Sequence, residues 1–154
     1  MTLPRSLTVK RSNVSLISVA DRLERAGLLD RAVLEDVRLG GVADDSRAVQ
    51  PGDLFCAWRG TSSDSHDFVT VAEKAGAAAA VVEREIDESA LPQLIVRDGR
   101  RGAATAASCV FGEPGEQLIL AGVTGTNGKT TTAWIMRHLL AMQQATALIG
   151  TLGL

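Results

Sequence analysis

The sequence predicts an α/β protein in two parts. A small domain occupies residues 15–114 after a tail at 1–14, and a single strand-loop-helix-strand unit follows over 115–154. Three observations carry this reading. Short apolar runs, among them Leu54-Phe55-Cys56-Ala57-Trp58 and Leu94-Ile95-Val96, alternate with segments of helical periodicity. A glycine-rich loop, AGVTGTNGKTTT at 121–132, joins the apolar run 118–123 to an amphipathic stripe. The stretch FGEPGE at 111–116 gathers Gly and Pro between the two parts, as a boundary should.

Taken in order, residues 1–14 have no sustained periodicity and are expected to form a mobile tail. Ser18 with Asp21 reads as a capping box, and Val19, Leu23 and Ala26 recur at helical spacing until Gly27 supplies a stop. Residues 39–46 and 54–58 are expected as two strands around the turn Val49-Gln50-Pro51-Gly52-Asp53. GTSSD at 60–64 is a polar loop, and Phe68, Val71, Ala72 and Ala75 share one face of a helix that Gly76 ends. Residues 77–82 and 94–96 read as strands, with EREIDE at 83–88 a solvated turn of no special function. Asp98 caps a helix whose inner face carries Ala103, Ala106, Ala107 and Val110, closed by Gly112 and Pro114. Behind the glycine loop, Ile135, Leu139 and Met142, with Met136 and Leu140 beside them, form a stripe that should pack against a sheet. TALIG at 146–150 is the next expected strand. Two strands and one helix bury too little apolar area to offset their ordering entropy, so the sequence reads as truncated.

Composition narrows the possibilities. The 154 residues are 45% hydrophobic and 22% charged, which suits a globular chain, and with aromatics at 3% the core must be built from small and aliphatic side chains. A net charge of -2 gives no footprint for nucleic acid. No apolar run suits a membrane span or a secretory signal, so a cytoplasmic protein without membrane insertion is expected. Cys56 and Cys109 lack metal spacing and read as small core residues. His66 and His138 have no partner cluster, and Trp58 reads as packing.

The glycine loop has the chemistry of a phosphate-binding loop. Gly125 and Gly128 let backbone N–H groups turn toward an anion, and a helix opening behind them adds free N–H groups and a positive dipole end. Lys129 can reach terminal phosphates, and the hydroxyl of Thr130 directly after it can ligate magnesium. The match to G-x-x-x-x-G-K-[ST] is not strict, because Val123 stands five before Gly128. The competing reading is a glycine-rich turn that happens to contain Lys.

These residues resemble a known family. GVTGTNGKTTT at 122–132, preceded by LIL, is similar to the ATP loop of the Mur ligases, the ATP-dependent amide-forming enzymes of peptidoglycan synthesis. DSRAVQPGDLFCAWRG at 45–60 and DSHDFVTVAEKAGAAAAVVE at 64–83 independently resemble two segments of the family's amino-terminal part, in the right order. TGTNGKTTT followed by IGTLG is most similar to the members that add the third stem-peptide residue. The fourth-residue (D-alanyl-D-alanine-adding) members are the alternative, and tend to have Ser where Thr126 stands. A related folate or cyanophycin-type ligase, or a nucleotide-sugar-binding module with a vestigial loop, are further readings.

The resemblance implies a uridine-nucleotide-binding domain followed by the start of a central ATPase domain, with UDP-N-acetylmuramoyl-dipeptide, ATP and a diamino acid as partners and Mg²⁺ as the metal. Gly125, Thr126, Asn127, Gly128, Lys129, Thr130 and Thr131 would hold the ATP phosphates, with Lys129 acting on the β and γ phosphates and Thr130 on magnesium. Asp44, Ser46, Thr61, Ser62 and Ser63 would contact the uridine diphosphate end of the substrate. Asp44 stands where the family often has an aliphatic residue or Thr, and Ser65 where Gly is usual. Arg47 can pair with a phosphate or with Asp45. A complete member is about three times longer, so a monomeric fragment without ligase activity of its own is expected.

Overall fold

The computed structural model describes residues 12–33, 35–61 and 63–150. The chain divides into two units between Gln117 and Leu118. In the first, the elements run β1 (Val14–Ser15), α1 (Leu16–Arg25), β2 (Leu29–Val33), β3 (Arg38–Leu39), β4 (Gly41–Ala43) and β5 (Asp53–Cys56). A 3-10 turn, Ser65–Phe68, then leads into α2 (Val69–Lys74), followed by β6 (Ala79–Val82), β7 (Gln93–Val96) and α3 (Gly99–Val110).

Five strands form one sheet in the order β2-β7-β6-β5-β4. β4, β5, β6 and β7 are parallel neighbours, and β2 lies antiparallel on the β7 edge. Every residue of β5, β6 and β7 is buried, as strands covered on both faces must be. The two-residue alternation of a strand divides them between two cores. Leu54, Cys56, Ala79, Val81, Leu94 and Val96 pack with Leu16, Val19 and Leu23 of α1 and with Ala106 and Val110 of α3. Phe55, Ala57, Ala80, Val82 and Ile95 pack with Val69 and Ala72 of α2. The result is three layers, with α1 and α3 on one face and α2 on the other.

Among the described residues of this unit, α1, α2 and α3 each stop on a glycine of positive φ, Gly27, Gly76 and Gly112. Each stop is a Schellman closure: Leu28 N–H bonds Leu23 O and Gly27 N–H bonds Glu24 O, with the same pattern at 76–77 and 112–113. The Asp98 cap is as expected, its carboxylate accepting from Arg101 N–H at 3.0 Å. The first cap differs from expectation. Ser15, not Ser18, caps α1, accepting from Ile17 N–H, because β1 hands directly into the helix.

Other expectations are corrected by packing. Residues 12–14, expected in the tail, are tied down: Ser12 N–H bonds Gly40 O and Val14 pairs with Leu39. The two strands expected around the turn form at 41–43 and 53–56 and are parallel, so that turn lies within a crossover connection. Val69 and Ala72 are the buried face of α2, whereas Phe68, Val71 and Ala75 are exposed, because the 3-10 turn ahead of α2 changes its phase. β2 carries no clear strand signal in the sequence and emerges only in the structure. The 83–88 segment is anchored rather than merely solvated: Ile86 is buried, and the Gln93 carboxamide makes two hydrogen bonds of 3.0 Å to its backbone N–H and C=O.

The second unit contains α4 (Lys129–Leu140). Ile135, Leu139 and Met142 are exposed, as are Met136 and Leu140, and no strand is formed at 118–123 or 146–149. A strand requires a neighbour to take its N–H and C=O groups, and among the described residues of this unit none is present.

Candidate functional site

Four parallel strands end on the same edge of the sheet, where open α/β sheets bind their ligands. β4 runs out into Asp44, Asp45, Ser46 and Arg47, and β5 into Trp58, Arg59, Gly60 and Thr61. Between these segments lies a cleft of about 710 Å³, lined by Asp44, Asp45, Ser46, Arg47, Ser63 and Ser65, with Phe55, Phe68 and Val71 as its apolar wall. That volume suits a ligand of nucleotide size. A smaller recess of about 250 Å³ beside Gly60 and Asp64 is lined by Thr61 and Ser63. The structure thus brings Asp44, Ser46, Thr61 and Ser63 to one edge of the sheet, while Ser62 lies outside the described residues. Phe68 and Val71 are cleft residues that the sequence does not reveal. Their apolar character signals core, and only the phase of α2 shows that they face the cleft.

The turn after β4 is held by its own side chains. Arg47 pairs with Asp45 rather than standing available for a phosphate: Arg47 Nη2 lies 2.7 Å from Asp45 Oδ2, Nε lies 2.9 Å from Oδ1, and the Arg47 backbone N–H also donates to Oδ1 at 2.9 Å. The Arg47 side chain and then its N–H lower the Asp45 carboxyl to about 2.

The loop after β5 is shaped differently. Gly60 N–H bonds Ser63 O at 2.8 Å, and a Cβ on Gly60 would meet that same oxygen at 2.8 Å, so the close approach requires glycine. Asp64 caps the 3-10 turn through His66 N–H and lies 2.5 Å from His66 Nδ1. His66 Nε2 accepts from Glu83 N–H at 2.8 Å. An amide N–H can only donate, so Nε2 carries the lone pair and Nδ1 the proton that Asp64 accepts. The His66 side chain, and then its backbone N–H, hold the Asp64 carboxyl below its ordinary value. His66 therefore has partners that its sequence context does not announce. Both of its ring nitrogens are used internally, and among the described residues no cluster of His, Cys, Asp and Glu suits a metal.

The cysteines sit as small residues of the packed interior would. Cys56 is buried, and burial pushes its thiol up to about 12, while Cys109 is half-buried. Trp58 packs against the α1/α3 core, and His138 is exposed.

In the second unit, Gly128 at φ +76° is the residue from which α4 opens. Thr132 N–H bonds Gly128 O at 2.9 Å as the helix begins, which leaves Lys129, Thr130 and Thr131 N–H without intrahelical partners. Lys129 Nζ folds over the loop, donating to Gly125 O at 2.6 Å and Thr126 O at 3.4 Å. A Cβ on Gly128 would meet nothing within 4 Å. Free helix N–H groups with an ammonium folded over the loop ahead of them have the chemistry to take a phosphate chain.

Two family profiles match the chain in order. The one described as "Mur ligase family, catalytic domain" takes in residues 38–107, from β3 into α3, and the one described as "Mur ligase middle domain" takes in 123–154. The chain belongs to the Mur ligase family. Among curated Mur ligases, it is 44% identical over 132 residues to a UDP-N-acetylmuramoyl-L-alanyl-D-glutamate--2,6-diaminopimelate ligase of Gloeobacter violaceus, covering 84% of this chain and 27% of the relative. Among solved structures, it is similar to a MurF from Acinetobacter baumannii, with a TM-score of 0.67 and 27% identity over 88% of this chain and 29% of that one. It is also similar to the MurF ligase of Thermotoga maritima in complex with ADP, with a TM-score of 0.55 and 32% identity over 67% of this chain and 23% of that one. The chain therefore spans about a quarter of the length of the Mur ligases it matches. No helix among the described residues is long and apolar enough to cross a membrane.

Proposed function

We propose that the first unit binds the uridine diphosphate end of UDP-N-acetylmuramoyl-L-alanyl-D-glutamate. On the same reading, the second unit carries the ATP loop of the ligase that adds a diamino acid to that substrate as the third stem-peptide residue. Its main support is the convergence of Asp44, Ser46, Thr61 and Ser63 from two separate loops on one strand edge. The hydroxyls of Ser46, Thr61 and Ser63 suit hydrogen bonds to a pyrophosphate or a uracil edge, and Asp44 would contribute its backbone. The identity of 44% to a third-residue ligase, against 27% and 32% to fourth-residue MurF ligases, supports the choice between the two additions.

At the loop, Lys129 and the N–H groups of Lys129, Thr130 and Thr131 would hold the phosphates, with Gly125, Thr126, Asn127 and Gly128 forming the turn around them. Thr130 would offer its hydroxyl to Mg²⁺. ATP would supply the γ-phosphoryl group that activates the glutamate carboxylate, leaving ADP, and the amine of the diamino acid would then displace inorganic phosphate to form the amide; Mg²⁺ would offset phosphate charge. Lys129, which donates to the loop carbonyls of Gly125 and Thr126, would exchange them for the transferring phosphoryl and is the proposed catalytic residue of this chain. The protein is proposed to act as a monomer in the cytoplasm.

Calorimetric titration of the 154-residue chain with UDP-N-acetylmuramoyl-L-alanyl-D-glutamate tests the reading. Saturable binding at one site supports it. Binding of a folate or a cyanophycin-type peptide in its place, with none of the nucleotide-sugar, would overturn it.

A further inference from the structure

The loop after β5 is closed into a ring by three side chains, none of them among the residues assigned to ligand contact. Arg59 N–H donates to Glu83 Oε2 at 3.0 Å. Glu83 N–H donates to His66 Nε2 at 2.8 Å, and His66 Nδ1 donates to Asp64 Oδ1 at 2.5 Å. Asp64 returns to Arg59 through an isolated antiparallel bridge. Glu83 also reaches a second element. Its Oε1 accepts Gly99 N–H at 2.8 Å, tying the start of α3 to the same point. Arg84 adds a weaker outer contact, its Nη2 lying 3.5 Å from Asp64 Oδ2 and 3.9 Å from Asp67 Oδ1.

Each link has a directional requirement. His66 is 4% exposed, so its two ring nitrogens cannot exchange these partners for water. One nitrogen must accept and the other must donate, a division only the neutral ring with its proton on Nδ1 provides. Glu83 must present both oxygens as acceptors, one to β5's exit and one to α3's entry. The ring thereby fixes both ends of the segment that presents Thr61 and Ser63, on a strand edge where no regular element does so. We infer that His66 and Glu83 are positioning residues for the nucleotide-binding loop: they set the placement of Thr61 and Ser63 without touching the ligand themselves. This rests on the proposed binding of a uridine diphosphate at that edge.

The test is a calorimetric titration of the full chain and its variants with UDP-N-acetylmuramoyl-L-alanyl-D-glutamate, alongside thermal unfolding of each. His66→Phe keeps the ring shape and loses both hydrogen bonds, and should weaken binding about tenfold, the scale of one lost polar link. His66→Gln keeps an acceptor for Glu83 N–H and should recover part of that loss. Glu83→Gln, which sets an amide NH₂ against one of two N–H donors, should weaken binding while leaving the chain folded. Gln93→Leu is the control, since Gln93 holds the Ile86 backbone and not the loop. It should lower the thermal midpoint with affinity unchanged. Wild-type affinity in His66→Phe and Glu83→Gln, or losses that follow the thermal midpoint as closely in Gln93→Leu, would overturn the inference while leaving the binding reading intact. Absence of binding by the wild-type chain would instead overturn the binding reading, and this inference with it.

Discussion

Asp45 grips Arg47 from the side, with Nη2 2.7 Å from Oδ2 and Nε 2.9 Å from Oδ1, so the arginine of the D-S-R segment is held by the residue two before it. The ion pair sits on the rim of the cleft that Ser46 lines. Asp45 falls from an ordinary 3.8 to about 2 in the folded chain, so any stability it adds is present above pH about 4 and is lost as the pH falls toward 2. Both side chains are solvent-facing, and the effect on global stability is expected to be small. Carboxyl NMR should place the Asp45 midpoint near 2 in the wild type and return it to the ordinary range in Arg47→Ala. An unchanged midpoint in that variant would remove Arg47 as the cause.

Phe68 and Val69 are neighbours with opposite surroundings. Val69 is fully buried in the α2 core, whereas Phe68 is 45% exposed on the cleft wall. Val69→Ala should cost roughly 1.5–3 kcal/mol by thermal or denaturant unfolding. Phe68→Ala should cost much less and should weaken nucleotide-sugar binding instead. Equal destabilisation by the two would return Phe68 to the core.

Gly99 marks a close approach of α3 to Trp58 and Glu83. A Cβ there would stand 2.5 Å from the Trp58 Cβ and 2.9 Å from Glu83 Oε1. Gly99→Ala should therefore destabilise the chain by about 1–3 kcal/mol through overpacking. Unfolding in urea reads this directly, and a wild-type midpoint would show that α3 can shift without cost.

Lys129 tests the second unit. Its ammonium is exposed and donates to the loop carbonyls of Gly125 and Thr126, so Lys129→Ala should leave the fold untouched by circular dichroism. Magnesium-ATP affinity should fall by about tenfold or more, as expected for losing charge-assisted hydrogen bonds. Equal affinity in wild type and variant would remove Lys129 from phosphate binding.

Much of the fold is legible in the sequence because its signals are local. Asp98 and Gly112 bracket α3 by cap chemistry and positive φ, and the apolar runs of β5, β6 and β7 announce strands buried on both faces. β2 is not legible because it is an edge strand in which Asp30 and Arg31 are both exposed, so it lacks a clean alternation of apolar and polar residues. The phase of α2 depends on a 3-10 turn that no residue of SHDF signals. At the site, motif resemblance points to Ser46 and Thr61, which lie at the sheet edge, but the partners of His66 are out of its reach. Glu83 lies 17 residues further along the chain, and its backbone N–H, which almost any residue carries, is what His66 accepts. The strands expected at 118–123 and 146–150 rest on apolar content alone, and content does not supply a neighbour to pair with.

Binding of a uridine diphosphate at the edge formed by the ends of β4 and β5 is open to direct observation by backbone amide NMR of the chain during titration with UDP-N-acetylmuramoyl-L-alanyl-D-glutamate. The largest shifts should fall on Asp44, Asp45, Ser46 and Arg47, on Gly60, Thr61 and Ser63, and on Phe68, with residues 125–131 little changed. Shifts confined to 125–131, or none at saturating ligand, would rule out a nucleotide site at that edge.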